Sequence, residues 1–168
     1  MRCFVAAVPD EATQSRLDAL VQTLRRRYPR ARSTRTENLH LTLAFIGELP
    51  AEQAAEVARR LGELHIEPFT WHLTEVGGFA RARVVWAGGA DEPRLAALAA
   101  EVRRILLELH VAHDDRPFVA HVTLLRQVAA APAVQAIEAI AWPIRSVQLM
   151  VSEQEAAGPT RYRRLEAG

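Results

Sequence analysis

The chain contains the same short motif twice, as HLTL at residues 40–43 and as HVTL at residues 121–124. Side chains alternate between the two faces of a β-strand, so in each motif the histidine and the threonine share one face and the apolar residues share the other. By the same alternation, Phe45 extends the apolar face of the first motif. Each motif therefore predicts a half-buried strand. Two such strands facing each other would enclose two imidazoles and two hydroxyls.

The polar side chains of the two motifs, His40, Thr42, His121 and Thr123, suit one type of reaction. Imidazole titrates near neutral pH, so one histidine can act as a base while a protonated partner acts as an acid. Threonine hydroxyls can donate hydrogen bonds to the non-bridging oxygens of a phosphate. The alternative for each histidine is a satisfied polar residue on a half-buried strand. The matching apolar context of the two motifs favours metal-independent attack of water on a phosphodiester.

A third match to the pattern, His72-Leu73-Thr74, is followed by a carboxylate, Glu75, where the other two motifs have leucine. Because a carboxylate would repel a phosphate, we expect His72 and Thr74 to lie on the outward face of an ordinary strand. A zinc hydrolase that uses His40, His72 and His121 is the alternative. Catalytic zinc sites usually add a local signature such as HExxH or a nearby carboxylate ligand, and none is evident.

The composition indicates one folded domain over residues 1–168 rather than a disordered chain. A formal net charge of +1 argues against a protein that coats duplex nucleic acid. All 21 basic residues are arginine, and one cluster consists of Arg25, Arg26, Arg27, Arg30, Arg32 and Arg35. This cluster fits a solvated helix end as well as a contact with RNA phosphates, which arginine binds in a bidentate fork.

The single cysteine, Cys3, lies within the apolar run RCFVAAV, which predicts a buried strand position rather than a reactive thiol. The N-terminal residues lack the apolar core of a signal peptide, and no apolar run is long enough to span a bilayer. These features predict a cytoplasmic protein without a membrane partner.

Apolar periodicity predicts helices and strands in mixed order, which indicates an α+β fold. The predicted strands are 2–8, 39–46, 69–76, 83–89, 118–125, 144–151 and 160–165. The predicted helices run from Asp10, the N-cap, to Pro29, over 51–64, from Asp91 to about Leu109, and over 131–139. The order of elements around the first motif is loosely repeated around the second, which suggests two similar lobes.

Five stretches of the chain resemble the two-histidine (2H) phosphoesterase superfamily, in particular its bacterial RNA 2′,3′-cyclic phosphodiesterase branch, also called the 2′-5′ RNA ligase family. They are RCFVAAVP, ENLHLTLAFIGE, GGFARARVVWAG, FVAHVTLLR and GPTRYRRL, in the order expected for that branch. The resemblance implies a bilobal fold with pseudo-twofold symmetry, in which two antiparallel sheets line a central cleft. One departure is Ala120, where the family usually has proline.

The resemblance implies hydrolysis of a terminal 2′,3′-cyclic phosphate to a 2′-phosphate, with His121 as general base and His40 as general acid. It implies that Thr42, Thr123 and Arg126 hold the phosphate. Arg126 would need a bend or bulge to reach the histidine face. Phe4 is a candidate for stacking on a nucleobase or for the core.

Several alternatives stay open. They are hydrolysis of other small cyclic nucleotides or phosphodiesters, 2′-5′ RNA ligation as the reverse reaction, exchanged roles of the two histidines, and a catalytically idle RNA-binding module. We expect no cofactor, no metal and no obligate protein partner, and a monomer that acts on RNA ends or nucleotides.

Overall fold

A computed structural model describes residues 1–154 and 158–166 as helices packed on an antiparallel sheet. In chain order the elements are β1 (Arg2–Ala7), α1 (Glu11–Arg27), β2 (Arg32–Ser33), a 3-10 turn (Thr36–Asn38), β3 (Leu41–Glu48), α2 (Ala51–Gly62), β4 (Phe69–Phe79), β5 (Val84–Gly88), α3 (Pro93–Glu108), β6 (Val122–Arg126), β7 (Gln135–Ile144), β8 (Gln148–Glu153) and β9 (Arg161–Arg164). The α+β class predicted from the sequence is confirmed.

The strands form one hydrogen-bonded sheet in the order β7-β4-β5-β6-β3-β1-β8-β9, with the short β2 on β6. Two four-stranded halves, β7-β4-β5-β6 and β3-β1-β8-β9, meet where β3 and β6 share a single residue pair, Leu41 with Val122. The two expected sheets are therefore continuous through one pair. The strands that carry the two motifs are neighbours at the centre.

The helices cover the apolar faces of the two halves. In α1 the side chain of Asp10 accepts a hydrogen bond from the backbone N–H of Thr13 at 2.9 Å, as an N-cap does. The buried face of α1 packs on β6 and β7, where the Thr13 hydroxyl donates to the carbonyl of Ala141. Helices α2 and α3 contact each other and the other half, at β8 and β3. No helix in the described part of the chain is long and apolar enough to cross a membrane.

The helix predicted at 131–139 is wrong, because most of this stretch belongs to β7. Alanine-rich composition favours a helix there, but Ile140, Trp142 and Ile144 alternate at the period of a strand and are buried. Trp142 pairs with Trp71 of β4, and their rings lie 5.7 Å apart in the core. Burial of these large side chains outweighs the local helix propensity.

Candidate active site

The register of the central strands brings the four polar residues of the motifs together. Leu41 and Val122 form an antiparallel pair and are fully buried. The residues on either side of this pair point to the opposite face, and the same register sets His40 opposite Thr123, and Thr42 opposite His121. A local twofold relation therefore passes through the Leu41–Val122 pair. Each histidine lies next to a threonine of its own strand and across from one of the other strand.

Both imidazoles are oriented by the same backbone contact. The Nδ1 atom of His40 is 2.6 Å from the carbonyl oxygen of Asn38, and that of His121 is 2.8 Å from the carbonyl of Val119. A carbonyl oxygen only accepts, so Nδ1 carries the proton in both rings. Nε2 is then the nitrogen that titrates. In His40 it lies 3.0 Å from the hydroxyl of Thr42.

A β-bulge in each motif strand decides which later side chain reaches the histidine face. In β6, Thr123 pairs with Trp86 and Leu125 with Val85, so Leu124 is an extra residue. Leu124 and Leu125 are both buried, and Arg126 returns to the face of Thr123. The bulge that the sequence required for Arg126 is present.

The first motif has the same irregularity. In β3, Thr42 pairs with Ala6 and Ala44 with Val5, so Leu43 is the extra residue. Phe45 is consequently placed on the histidine face and is 51% exposed. The prediction that Phe45 continues the buried face of the motif is wrong, because strict alternation ends at the bulge. By the local twofold relation, Phe45 occupies the position that Arg126 has in the second motif.

Aromatic rings flank both histidines. Phe4 and Tyr162 lie 4.9 Å and 5.1 Å from the ring of His40, and Phe79 lies 5.0 Å from the ring of His121. Phe4 is only 4% exposed, so its ring packs behind His40 rather than presenting an open face to a base. Tyr162 is half-buried and lines the cleft beside His40. Tyr162 belongs to GPTRYRRL, one of the five stretches that carry the family resemblance.

A basic cleft of about 200 Å³ opens beside His40. It is lined by Arg32, Ser33, Thr34, Arg35, Asn38, His40, Thr123, Arg126, Pro159, Thr160 and Tyr162, and none of these described residues is a carboxylate. Asn38, which is buried, fixes one wall by donating to the carbonyl of Thr160 and accepting from the N–H of Tyr162. The cleft therefore combines positive charge, a hydroxyl and an imidazole.

Burial and positive neighbours keep both histidines neutral in the ligand-free protein. Burial, the largest cause, together with Arg126 and His121 lowers the pKa of His40 to about 4, against the opposing effect of the Asn38 carbonyl. Burial and Arg126 also lower the pKa of His121. Arg126 is thus close enough to influence the charge of both imidazoles.

A second cavity, of about 460 Å³, is lined by His121 and combines aromatic rings with carboxylates, among them Asp91 and Glu92. Phe79, Trp86 and Phe118 contribute rings to its wall, and Glu75 contributes a carboxylate. The Trp86 ring lies against Gly77, where an added Cβ would be 2.5 Å from Cζ2 of the indole. Glycine at this position therefore makes room for the ring beside Thr123.

The third motif is not part of either cavity. His72 and Thr74 are exposed on β4, as predicted. The zinc alternative needs His72 to converge with His40 and His121. Within residues 1–154 and 158–166, no group of three or more His, Cys, Asp or Glu is placed to hold a metal ion.

Comparisons with known proteins agree with this geometry. A model of the LigT-like phosphoesterase family matches residues 8–86. The chain is 34% identical over 129 residues to the RNA 2′,3′-cyclic phosphodiesterase of Archaeoglobus fulgidus, which covers 75% of this chain and 72% of that protein. It is 31% identical over 172 residues to the enzyme of the same name from Thermus thermophilus, covering 95% and 85%. The crystal structure of E. coli LigT complexed with 3′-AMP matches with a TM-score of 0.83 at 30% identity, over 98% of this chain and 95% of that one.

Proposed function

Because the chain belongs to the LigT-like phosphoesterase family, we propose that it hydrolyses the 2′,3′-cyclic phosphate at an RNA end to a 2′-phosphate. The observation that carries this proposal is the set of two histidines and two threonines around the Leu41–Val122 pair. His40 and Arg126 line the first cleft, His121 lines the second cavity, and both His121 and Arg126 are near enough to lower the pKa of His40. Such a set can move two protons and hold one phosphate.

In the proposed reaction, Nε2 of His121 accepts a proton from water as the water oxygen attacks phosphorus in line with the 3′-oxygen. The bond between phosphorus and the 3′-oxygen breaks, and Nε2 of His40 donates its proton to that oxygen. The 2′-oxygen keeps the phosphate. His121 gains one proton and His40 loses one, so the total charge of the pair is unchanged. Proton exchange with solvent then restores neutral His121 and protonated His40.

The negative charge that develops on the non-bridging oxygens is met by hydrogen-bond donors. Thr42 and Thr123 supply hydroxyls from the two central strands, and Arg126 supplies a planar fork of N–H donors. The two hydroxyls are half-buried, which limits competing water around them, whereas the guanidinium of Arg126 is exposed. His40 receives its proton when a phosphate offsets the charge of Arg126.

The test is to incubate the protein, with EDTA present, with a short RNA that ends in a 2′,3′-cyclic phosphate. Chromatography against 2′- and 3′-phosphate standards identifies the product, and we expect the 2′-phosphate. His40→Ala and His121→Ala should each lose at least about 99% of turnover, since a positioned acid or base contributes about 10²- to 10⁴-fold. His72→Ala is the matched control, because the same motif there is exposed on β4. Retention of more than about a tenth of activity in either cleft variant would refute the assignment.

We place this activity in the cytoplasm and in a monomer. Cys3 is a buried free thiol, which suits a reducing compartment. The two motifs meet within one chain, so a second copy is not needed to complete the site. Sedimentation of the purified protein would test the monomer, which a stable dimer would contradict.

A further inference from the structure

Two arginines face each other across the strand pair next to the proposed active site. Arg32 of β2 is the register partner of Arg126 of β6. Like charges directly opposite each other on antiparallel strands destabilise the pair. In the part of the chain that the structure describes, neither guanidinium has a hydrogen-bond or ion-pair partner. An arrangement that costs stability and has no internal compensation indicates an anion that binds between or beside the two side chains.

Hydrogen bonds to β6 hold the short segment that carries Arg32. Strand β2 is two residues long, and among the described strands its partner is β6. Thr34, which follows it, donates from its N–H to the carbonyl of Leu124 and from its hydroxyl to the carbonyl of Thr123, both at 2.9 Å. These bonds tie the segment to the motif strand itself. Arg32 is therefore held beside the cleft although its side chain is exposed.

The positive charge of the cleft exceeds what one phosphodiester can neutralise. A cyclic phosphodiester carries one negative charge, which Arg126 alone balances. Arg32 and Arg35 also line the cleft, and no carboxylate does so among its described residues. Among the described residues, the acidic partner of Arg35 is Glu37, at 3.6 Å between exposed groups, and such a pair is worth little in water.

We infer that Arg32 and Arg35 form a second phosphate subsite, which binds the phosphodiester on the 5′ side of the terminal nucleotide. This inference rests on the proposed function. Arg126 influences both histidines and so takes the reacting phosphate. Strand β2 lies one strand spacing, about 4.8 Å, beyond β6. An RNA strand that leaves the reacting phosphate in this direction meets Arg32 next, so the enzyme prefers the end of an oligonucleotide over a mononucleotide.

The experiment compares three substrates, of which the second adds one nucleotide to the first and the third replaces the charged linkage of the second. They are adenosine 2′,3′-cyclic phosphate, the dinucleotide ApA with a 2′,3′-cyclic phosphate, and the same dinucleotide with a neutral methylphosphonate linkage. Wild type should show a kcat/KM about tenfold higher for the dinucleotide than for the mononucleotide, from one charge-assisted contact. The methylphosphonate should lose this advantage, since it keeps both bases and removes only the charge.

The variants locate the contact. In Arg32→Ala the ratio of kcat/KM for dinucleotide to mononucleotide should fall about tenfold, and the slope of log kcat/KM against log salt should decrease by about 0.7 for the dinucleotide. Arg30→Ala is the matched control: it removes an exposed arginine two residues away that does not line the cleft. Its ratio should equal that of wild type.

Three results would overturn the inference. An equal loss on both substrates in Arg32→Ala would assign Arg32 to the reacting phosphate. A methylphosphonate dinucleotide hydrolysed as fast as the charged one would show that no second phosphate is bound. If wild type hydrolyses neither RNA substrate, the proposed function itself fails and the subsite fails with it, which separates this result from the other two.

Discussion

The charge of His40 should depend on whether phosphate is bound. In the ligand-free protein its pKa is lowered to about 4, so at pH 7 about one molecule in a thousand carries the protonated ring. An acid with that pKa cannot serve a reaction at neutral pH. A phosphate beside His40 adds negative charge that offsets the positive charge of Arg126, and this favours the imidazolium. We therefore expect substrate binding to favour protonation of His40, which then donates this proton to the leaving oxygen.

The size of this effect follows from the pKa. Returning the pKa of His40 from about 4 to the ordinary value of 6.5 corresponds to about 3 kcal/mol, which is an upper limit because burial, the largest cause of the lowered pKa, persists when phosphate binds. By linkage, protein with protonated His40 should bind a phosphate monoanion roughly 300-fold more tightly than protein with neutral His40. This ratio applies to full restoration, and each unit by which the pKa stays below 6.5 lowers it tenfold.

The assay is NMR titration of the histidine Cε1–Hε1 signals between pH 3.5 and 6.5, with saturating inorganic phosphate and with chloride at equal ionic strength. Phosphate is a monoanion over this range, as the cyclic phosphodiester is. The His40 signal is assigned by its loss in His40→Gln. We expect a pKa near 4 in chloride and a higher pKa in phosphate. A pKa that stays near 4 with phosphate bound would refute the acid role of His40 and transfer it to His121.

Three further predictions concern stability and the arginine. The folded pKa of His40 lies below its unfolded value of about 6.5, so the unfolded chain takes up the proton first, and the free energy of unfolding should fall by up to about 3 kcal/mol as the pH drops from 6.5 to 4. Urea titrations should show a shallower fall in His40→Gln. An equal fall in the two proteins would contradict the burial argument. Arg126→Lys should lower kcat/KM by about 10²-fold, because it keeps the charge and loses the bidentate fork; steady-state kinetics close to wild type would mean that charge alone suffices. Gly77→Ala should lower the free energy of unfolding by about 1–3 kcal/mol, because the new Cβ would lie 2.5 Å from Cζ2 of Trp86. Gly62→Ala, where nothing lies within 4 Å of the new Cβ, should not destabilise the protein. Equal urea midpoints for the two variants would refute this account.

The predicted strands 39–46 and 118–125 overlap β3 and β6, which begin at Leu41 and Val122, because alternation is a local signal that marks a strand better than its ends. Alternation in HLTL and HVTL correctly placed each histidine with its threonine, and the apolar stripe of α1 marked the face that is buried. The N-cap at Asp10 and the strand position of the buried Cys3 follow from equally short patterns. The roles assigned to His40 and His121 remain predictions for the assays above.

The features that the sequence missed depend on partner strands. The bulge at Leu43 turns Phe45 toward the histidines, and it exists because of how β3 pairs with β1. Arg32 belonged to a cluster with two equal explanations, and only its pairing with Arg126 distinguishes it from its neighbours. The prediction for residues 131–139 was wrong because their composition favours a helix, whereas pairing of β7 with β4 places this stretch largely in a strand.

The order of strands in the half-sheet β3-β1-β8-β9 has a consequence for synthesis of the chain. Strands β1 and β3, which pair with each other, are made first, and β8 and β9 are made last. Until residues 148–153 leave the ribosome, the backbone edge of β1 that pairs with β8 stays open. The intervening half, β4 to β7, can pair within itself during that time. A nascent chain arrested before β8 would therefore hold one completed half-sheet and one exposed edge, which is the state in which we expect it to need protection from aggregation.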